Sequence, residues 1–290
     1  MTSVTCIQQA NSIIGESPSW DLARRALYWV DIKRPAVFRW EPELGQTGHW
    51  PMPKPIGCVA PAKSERLIFA DAEGPGFLDL SSGEIVRIAS PEEDMPLNRF
   101  NDGKIDRAGR FWAGTMDDQC RGPTGSLYRL DANLSIHRMV TGFICSNGMG
   151  WSPDNQIMYF TDSMVRTIWA YDYELSTGEL GARRVFAQLS DGDGMPDGLT
   201  VDSEGGVWVA IWDGWRVVRY LPSGAIDKEI PLPIQRPTSC TFGGADLKTL
   251  FVTSACLDLS WQSLRAGSLA GALFAIRTEV VGLPETDFAG

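Results

Sequence analysis

The sequence predicts an all-β fold: a six-bladed β-propeller with four-stranded antiparallel blades. Three observations carry that expectation. A short aromatic or aliphatic strand recurs six times at intervals of 40 to 49 residues. Turn-forming residues flank the recurrences, as hairpins require. No stretch shows 3.6-residue periodicity sustained over a helical length.

The recurring strand reads LYWVD at 27–31, LIFAD at 67–71, RFWAG at 110–114, MYFTD at 158–162, VWVAI at 207–211 and LFVTS at 250–254. Their third residues are Trp29, Phe69, Trp112, Phe160, Val209 and Val252, separated by 40, 43, 48, 49 and 43 residues. A partner strand follows each: VFRWEP from Val37, GFLDLSSG from Gly76, SLYRLD from Ser126, TIWAYD from Thr167, RVVRYLPSG from Arg216 and ALFAIR from Ala272. Turns such as DRAGR at 106–110, SPDNQ at 152–156 and DSEGG at 202–206 lead into the recurring strands. Each repeat buries its faces only against its neighbours, so residues 1–290 are expected to form one domain. Val4 and Ile7, ahead of the first repeat, suit an outer strand that closes the ring on the last blade.

Composition removes several function classes. The formal net charge is −10, and an acidic surface repels a phosphate backbone, so no nucleic-acid partner is expected. The apolar runs are strand-sized, short of the ~20 residues that cross a bilayer, so no membrane association is expected. MTSVTCIQQA lacks a basic start followed by an apolar stretch, and a cytoplasmic monomer is the expectation. Only two histidines exist, His49 and His137, which excludes a three-histidine zinc site. Both sit in strand-like contexts near turns and read as structural. The six cysteines contain no C-x-x-C pair and read as free thiols.

In a propeller the innermost strand of each blade lines the central channel, so equivalent residues of all blades converge at its mouth. Stepping back 11 to 14 residues from each reference strand lands on Glu16, Gly57, Asn101, Asn147, Asp197 and Thr238. Two buried carboxylates on a shared axis repel, and a divalent cation removes that repulsion. Glu16, Asp197 and the Asn147 carbonyl are hard oxygen donors suited to Ca2+, Mg2+, Mn2+ or another first-row ion. Asn147-Gly148 and Asp197-Gly198 are also common turn dipeptides, and it is the shared register with Glu16 that favours ligands. Trp20, Trp151 and Trp212 suit blade packing or a pocket wall. Asp102 and Asp162 suit structural ties between turns and strands.

GESPSW, RFNDGK, AGRFWAGTM, GSLYRLD, SNGMGWSPD, YFTDS and PDGLTVDSEGGVWVA, in order from about residue 14 to residue 260, resemble the gluconolactonase/regucalcin/luciferin-regenerating-enzyme family. The resemblance implies a six-bladed propeller with one divalent metal at the channel mouth and hydrolysis of sugar lactones. The family's metal ligands fall on Glu16, Asn147 and Asp197, and its substrate contacts on Arg99 and Asn101. Animal members carry a glutamate shortly after the GTM motif as a further substrate contact. This chain reads GTMDDQ, which puts Gln119 there with Asp117 and Asp118 beside it. The stretch from Asp117 to Pro123 is shorter than in animal members, which implies a more open mouth.

The activity so implied is hydrolysis of an aldonolactone such as xylonolactone or gluconolactone by a carboxylic-ester hydrolase. The metal, one of Fe2+, Zn2+, Mn2+, Mg2+ or Ca2+, would act as Lewis acid. Asp197 is the expected base and Glu16 the competing one; Arg99 would offset oxyanion charge, and Asn101 would orient sugar hydroxyls. Two other functions suit the same scaffold: an esterase for less polar substrates, and a non-enzymatic propeller that binds calcium or proteins.

Overall fold

The computed structural model describes residues 3–260, 264 and 268–290. These contain six four-stranded antiparallel sheets and no helix. The recurring strand is the second strand of every blade: Ala26–Asp31, Arg66–Asp71, Phe111–Asp117, Ile157–Asp162, Val207–Trp212 and Thr249–Ser254. Inside each lies an innermost strand: Gly15–Asp21, Ile56–Ala62, Asn98–Ile105, Ser146–Trp151, Met195–Val201 and Pro237–Gly243. Neighbouring innermost strands touch all the way round, the sixth against the first, so the blades form a closed ring.

Closure follows the expectation from the N-terminal residues. Val4–Gln8 pairs antiparallel with Leu273–Arg277 as the outer strand of the sixth blade, with Val4 opposite Ile276 and Cys6 opposite Phe274. The first and last strands are thereby tied into one sheet.

Alternation along the second strands explains why they read as continuous apolar runs. Leu27 and Trp29 face the sixth blade, where they meet Phe251 and Leu273. Tyr28 and Val30 face the second blade, where they meet Val59, Leu67 and Phe69. Both faces of the strand are buried, so no polar residue interrupts it. The same alternation fills the other four interfaces, around Ile68 and Phe111, Trp112 and Phe160, Tyr159 and Val209, and Trp208 and Phe274. Truncating one such side chain, Phe160→Ala for example, costs roughly 3–5 kcal/mol. Outer strands carry no such pattern: Glu179–Gln188 is mostly exposed.

Trp20 and Trp151 belong to the interblade clusters. His49 and His137 lie on outer strands, His49 stacked on Phe38 at 5.0 Å and His137 beside Asp131. All six cysteines are free. Beyond the last blade the chain crosses the far end of the channel. Phe288 enters the cluster between the second and third blades, while Glu285 pairs with Lys104 at 3.3 Å.

Candidate functional site

The innermost strands share an irregularity that builds the site. Each slips register against its second strand at the same height, between Glu16 and Ser19, Ile56 and Cys58, Phe100 and Gly103, Ser146 and Met149, Pro196 and Leu199, and Pro237 and Cys240. A bulge leaves residues unpaired and re-aims their side chains. Asn101, Asn147, Asp197 and Thr238 open their bulges, Gly57 is its blade's extra residue, and Glu16 stands immediately before the first. Asn147-Gly148 and Asp197-Gly198 are therefore bulges of inner strands and not hairpin turns, and neither glycine has positive φ. What glycine supplies is room: a Cβ on Gly198 would collide with Ser239, and one on Gly57 with the Asn101 carbonyl of the next blade.

Glu16, Arg99, Asn101, Gln119, Asn147 and Asp197 all line one cavity of about 520 Å3 at this end of the channel. The same cavity also has an apolar lining, with Ile14, Ile32, Met164, Met195, Trp212 and Leu257. Glu16 and Asp197 are buried carboxylates. Burial, then the facing Asp197 and Asp102 carboxylates, push Glu16 well above the ordinary range; the Ser17 N–H, donating to Oε2 at 2.6 Å, pulls it back only in part. Burial and then Asp102 raise Asp197 likewise. Asp102 is itself pushed up to about 6 by burial, against the pull of Lys104.

The fit of this site to a cation rests on its unpartnered oxygens. Among the described residues, Asn147 Oδ1 and Asp197 Oδ1 are buried and accept no hydrogen bond. Asn147 Nδ2 donates to Ser163 Oγ at 3.0 Å, which fixes the carboxamide's orientation. Two carboxylates that repel and two orphaned acceptors form a donor set a hard divalent ion would satisfy. Among the described residues, no three His, Cys, Asp or Glu side chains converge as a metal cluster, so the carboxamide is an essential member of this set.

Arg99 is held from two sides. Its Nε donates to Asp118 at 2.5 Å, and its Nη1 donates to Asn101 Oδ1 at 2.7 Å and to the Phe100 carbonyl at 3.1 Å. Asn101 Nδ2 donates onward to the Ser146 carbonyl at 2.9 Å. The Asn101 amide thus ties Arg99 to the neighbouring blade, and Asn101 also lines the cavity, where the sequence suggests contact with sugar hydroxyls. Asp118 also accepts from Lys33 at 3.0 Å; partial burial pulls it upward, yet Arg99 and then Lys33 hold it below its ordinary value. Asp117 turns away to Arg121, at 2.5 Å.

Asp118, Lys33 and Asp102 were not singled out by the sequence as site residues. The first two lie just past recurring strands, in the first and third blades, as Ile32 in the first and Ser163 and Met164 in the fourth do. Asp162, by contrast, is structural as expected, accepting the N–H groups of Ile144 and Cys145. Of the three tryptophans, only Trp212 lines the cavity.

Fold and site together define a class, the six-bladed propellers with an acid-lined cavity at the mouth of the central channel. Residues 14–256 match the family described as SMP-30/Gluconolactonase/LRE-like region, and the chain belongs to that family. It is 36% identical to regucalcin of Xenopus laevis over 296 residues, covering 99% of this chain and 98% of that one. It is 37% identical to L-arabinolactonase of Azospirillum brasilense over 290 residues, covering 99% and 95%. Among solved structures, a calcium-binding protein, regucalcin, from Agrobacterium tumefaciens superposes with a TM-score of 0.95 at 26% identity, covering 99% and 97% of the two chains.

Proposed function

We propose that this chain is a metal-dependent carboxylic-ester hydrolase that opens sugar lactones, such as xylonolactone or gluconolactone, to aldonic acids. The observation that carries the reading is the convergence of Glu16, Asn147 and Asp197, the last two with orphaned oxygens, on a cavity that also holds a buried arginine. A volume of about 520 Å3 accommodates a pentono- or hexonolactone. The family's L-arabinolactonase relative supports the same chemistry.

Glu16, Asn147 and Asp197 would hold one divalent cation, Ca2+, Mg2+, Mn2+, Fe2+ or Zn2+, which when bound supplies Lewis acidity toward an ester carbonyl and toward water. Asp197 is the base: its Oδ1 has no hydrogen-bond donor among the described residues, whereas Glu16 Oε2 already accepts from Ser17. It takes a proton from the water that attacks the lactone carbonyl and returns it to the ring oxygen as the C–O bond breaks. Arg99 Nη2 has no partner among the described residues and remains available to a carbonyl or carboxylate oxygen, offsetting charge in the oxyanion and the product. Asn101 and Asp118 position Arg99; Gln119 contributes an amide in the same cavity. Trp212, Met164 and Met195 in the cavity lining suit the carbon face of a sugar ring.

A panel of aldonolactones assayed after chelation and ion-by-ion restoration, with spontaneous opening subtracted, tests this reading. Turnover that disappears with chelator and returns with one divalent ion is expected. Turnover indifferent to chelator, or none above background on any sugar lactone, contradicts it.

A further inference from the structure

Three sulfur-bearing side chains line the cavity and take no part in the proposed hydrolysis. The Cys145 thiol donates to Met116 Sδ at 3.7 Å, and Met116 and Cys145 face each other across a β-bridge between the third and fourth blades. Cys120, four residues beyond Met116 and in the left-handed region (φ 52°), lines the same cavity, near enough for its thiol to act on that of Cys145. All three residues line the cavity. Arg99 lines the same cavity.

We propose that Cys120, Cys145 and Met116 form a second cation site, selective for a soft monovalent d10 ion such as Cu(I), beside the hard-oxygen site. Thiolate and thioether sulfur select soft ions where carboxylate and carboxamide oxygen select hard ones. Geometry agrees: with metal–sulfur bonds of about 2.3 Å, three sulfurs in trigonal array stand about 4 Å apart, close to the 3.7 Å between Cys145 and Met116. Two thiolates around Cu(I) leave one net negative charge, and Arg99 in the same cavity is the counter-charge. The thioether favours an ion over a disulfide, which would leave Met116 without a role. Asn147 Nδ2 reaches Cys145 Sγ at 4.0 Å, so the two sites share the Asn147 carboxamide. That Cu(I) should also inhibit lactone opening rests on the lactonase reading; the binding itself does not.

The test uses the full chain, reduced and anaerobic, titrated with Cu(I) against the chromophoric chelator bathocuproine disulfonate. One Cu(I) per chain is expected to be withheld from the chelator, with a thiolate-to-copper band in the ultraviolet. Cys120→Ser and Cys145→Ser should each weaken binding by at least about 100-fold and Met116→Leu by about tenfold. Cys256→Ser should leave it unchanged. If Cys145→Ser does not fold, Cys120→Ser on the less buried side carries the same test. Undiminished affinity in Cys120→Ser, loss of binding in Cys256→Ser, or no effect of Met116→Leu overturns the three-sulfur site.

Discussion

Two sets of buried acids in the blades are treated in opposite ways. Away from the mouth, Asp202 accepts from Trp208 Nε1 and Arg219 Nε, both at 2.7 Å, and from the N–H groups of Glu204 and Gly206. Asp106 in the third blade repeats the arrangement with Trp112, Arg110, the Tyr173 hydroxyl and Ala108. At the mouth, Glu16 and Asp197 are as deeply buried but face each other and Asp102, and Asp197 keeps an oxygen with no donor. Buried carboxylates normally gather donors because leaving them bare costs free energy. Asp202 and Asp106 follow that rule and hold turns together. Asp197 breaks it, keeping one oxygen without a donor among the described residues, which fits the cation proposed there.

The contrast predicts opposite responses to the same substitution. Asp197→Asn should lower lactone turnover by at least about a thousand-fold, while the metal-free protein melts no lower than wild type, because a repelling charge has been removed. Asp202→Asn should do the reverse. Breaking a buried ion pair costs about 3–5 kcal/mol, so thermal unfolding shifts sharply downward while the folded fraction keeps its turnover. A destabilised Asp197→Asn or an unaffected Asp202→Asn would erase the distinction.

Arg99→Ala should slow turnover by about 10- to 100-fold, the worth of a hydrogen bond to a charged group, and leave the bound ion in place. A pH series on metal-stripped protein sharpens the contrast further. Glu16 and Asp197 are raised in the folded state from starting values of 4.5 and 3.8, so folding there takes up protons. Their contribution to stability is present below those values and is lost as pH rises through the folded ones. Metal-free protein should therefore melt lower as pH climbs above about 4.5, and a saturating divalent ion should flatten the curve. An apo protein that gains stability over that range contradicts the electrostatics. Least affected should be the His49→Gln/His137→Gln double variant, whose turnover stays within about twofold because both rings lie on outer strands.

What the sequence revealed follows from burial. Second and third strands are apolar on both faces, so LYWVD or VWVAI announce themselves. Outer strands such as Ile136–Phe143 have one blade neighbour and a largely exposed surface, and nothing in their pattern marks them. Glu16, Asn147 and Asp197 were legible because ring closure brings equivalent positions together whatever their sequence separation. The spread of 11 to 14 residues in that register reflects different turn lengths. Lys33 and Asp118 lie in loops beyond the second strands, where lengths differ from blade to blade and no repeat defines a register. Asp102 reads from the sequence as a structural tie, whereas the two-residue bulge carries it with Asn101 into the channel region. The C-terminal crossing that brings Glu285 to Lys104 belongs to no repeat, and so had no periodic signal.

The direct test of the mouth as a cation site is a binding titration of chelator-stripped protein with Mn2+, followed by its electron paramagnetic resonance signal. Wild type should take up one ion per chain, and Glu16→Gln, Asn147→Ala and Asp197→Asn should each abolish or severely weaken that uptake while Asp202→Asn, where folded, retains it. Equal uptake in wild type and Asp197→Asn would mean that the orphaned oxygens at the mouth do not hold the ion.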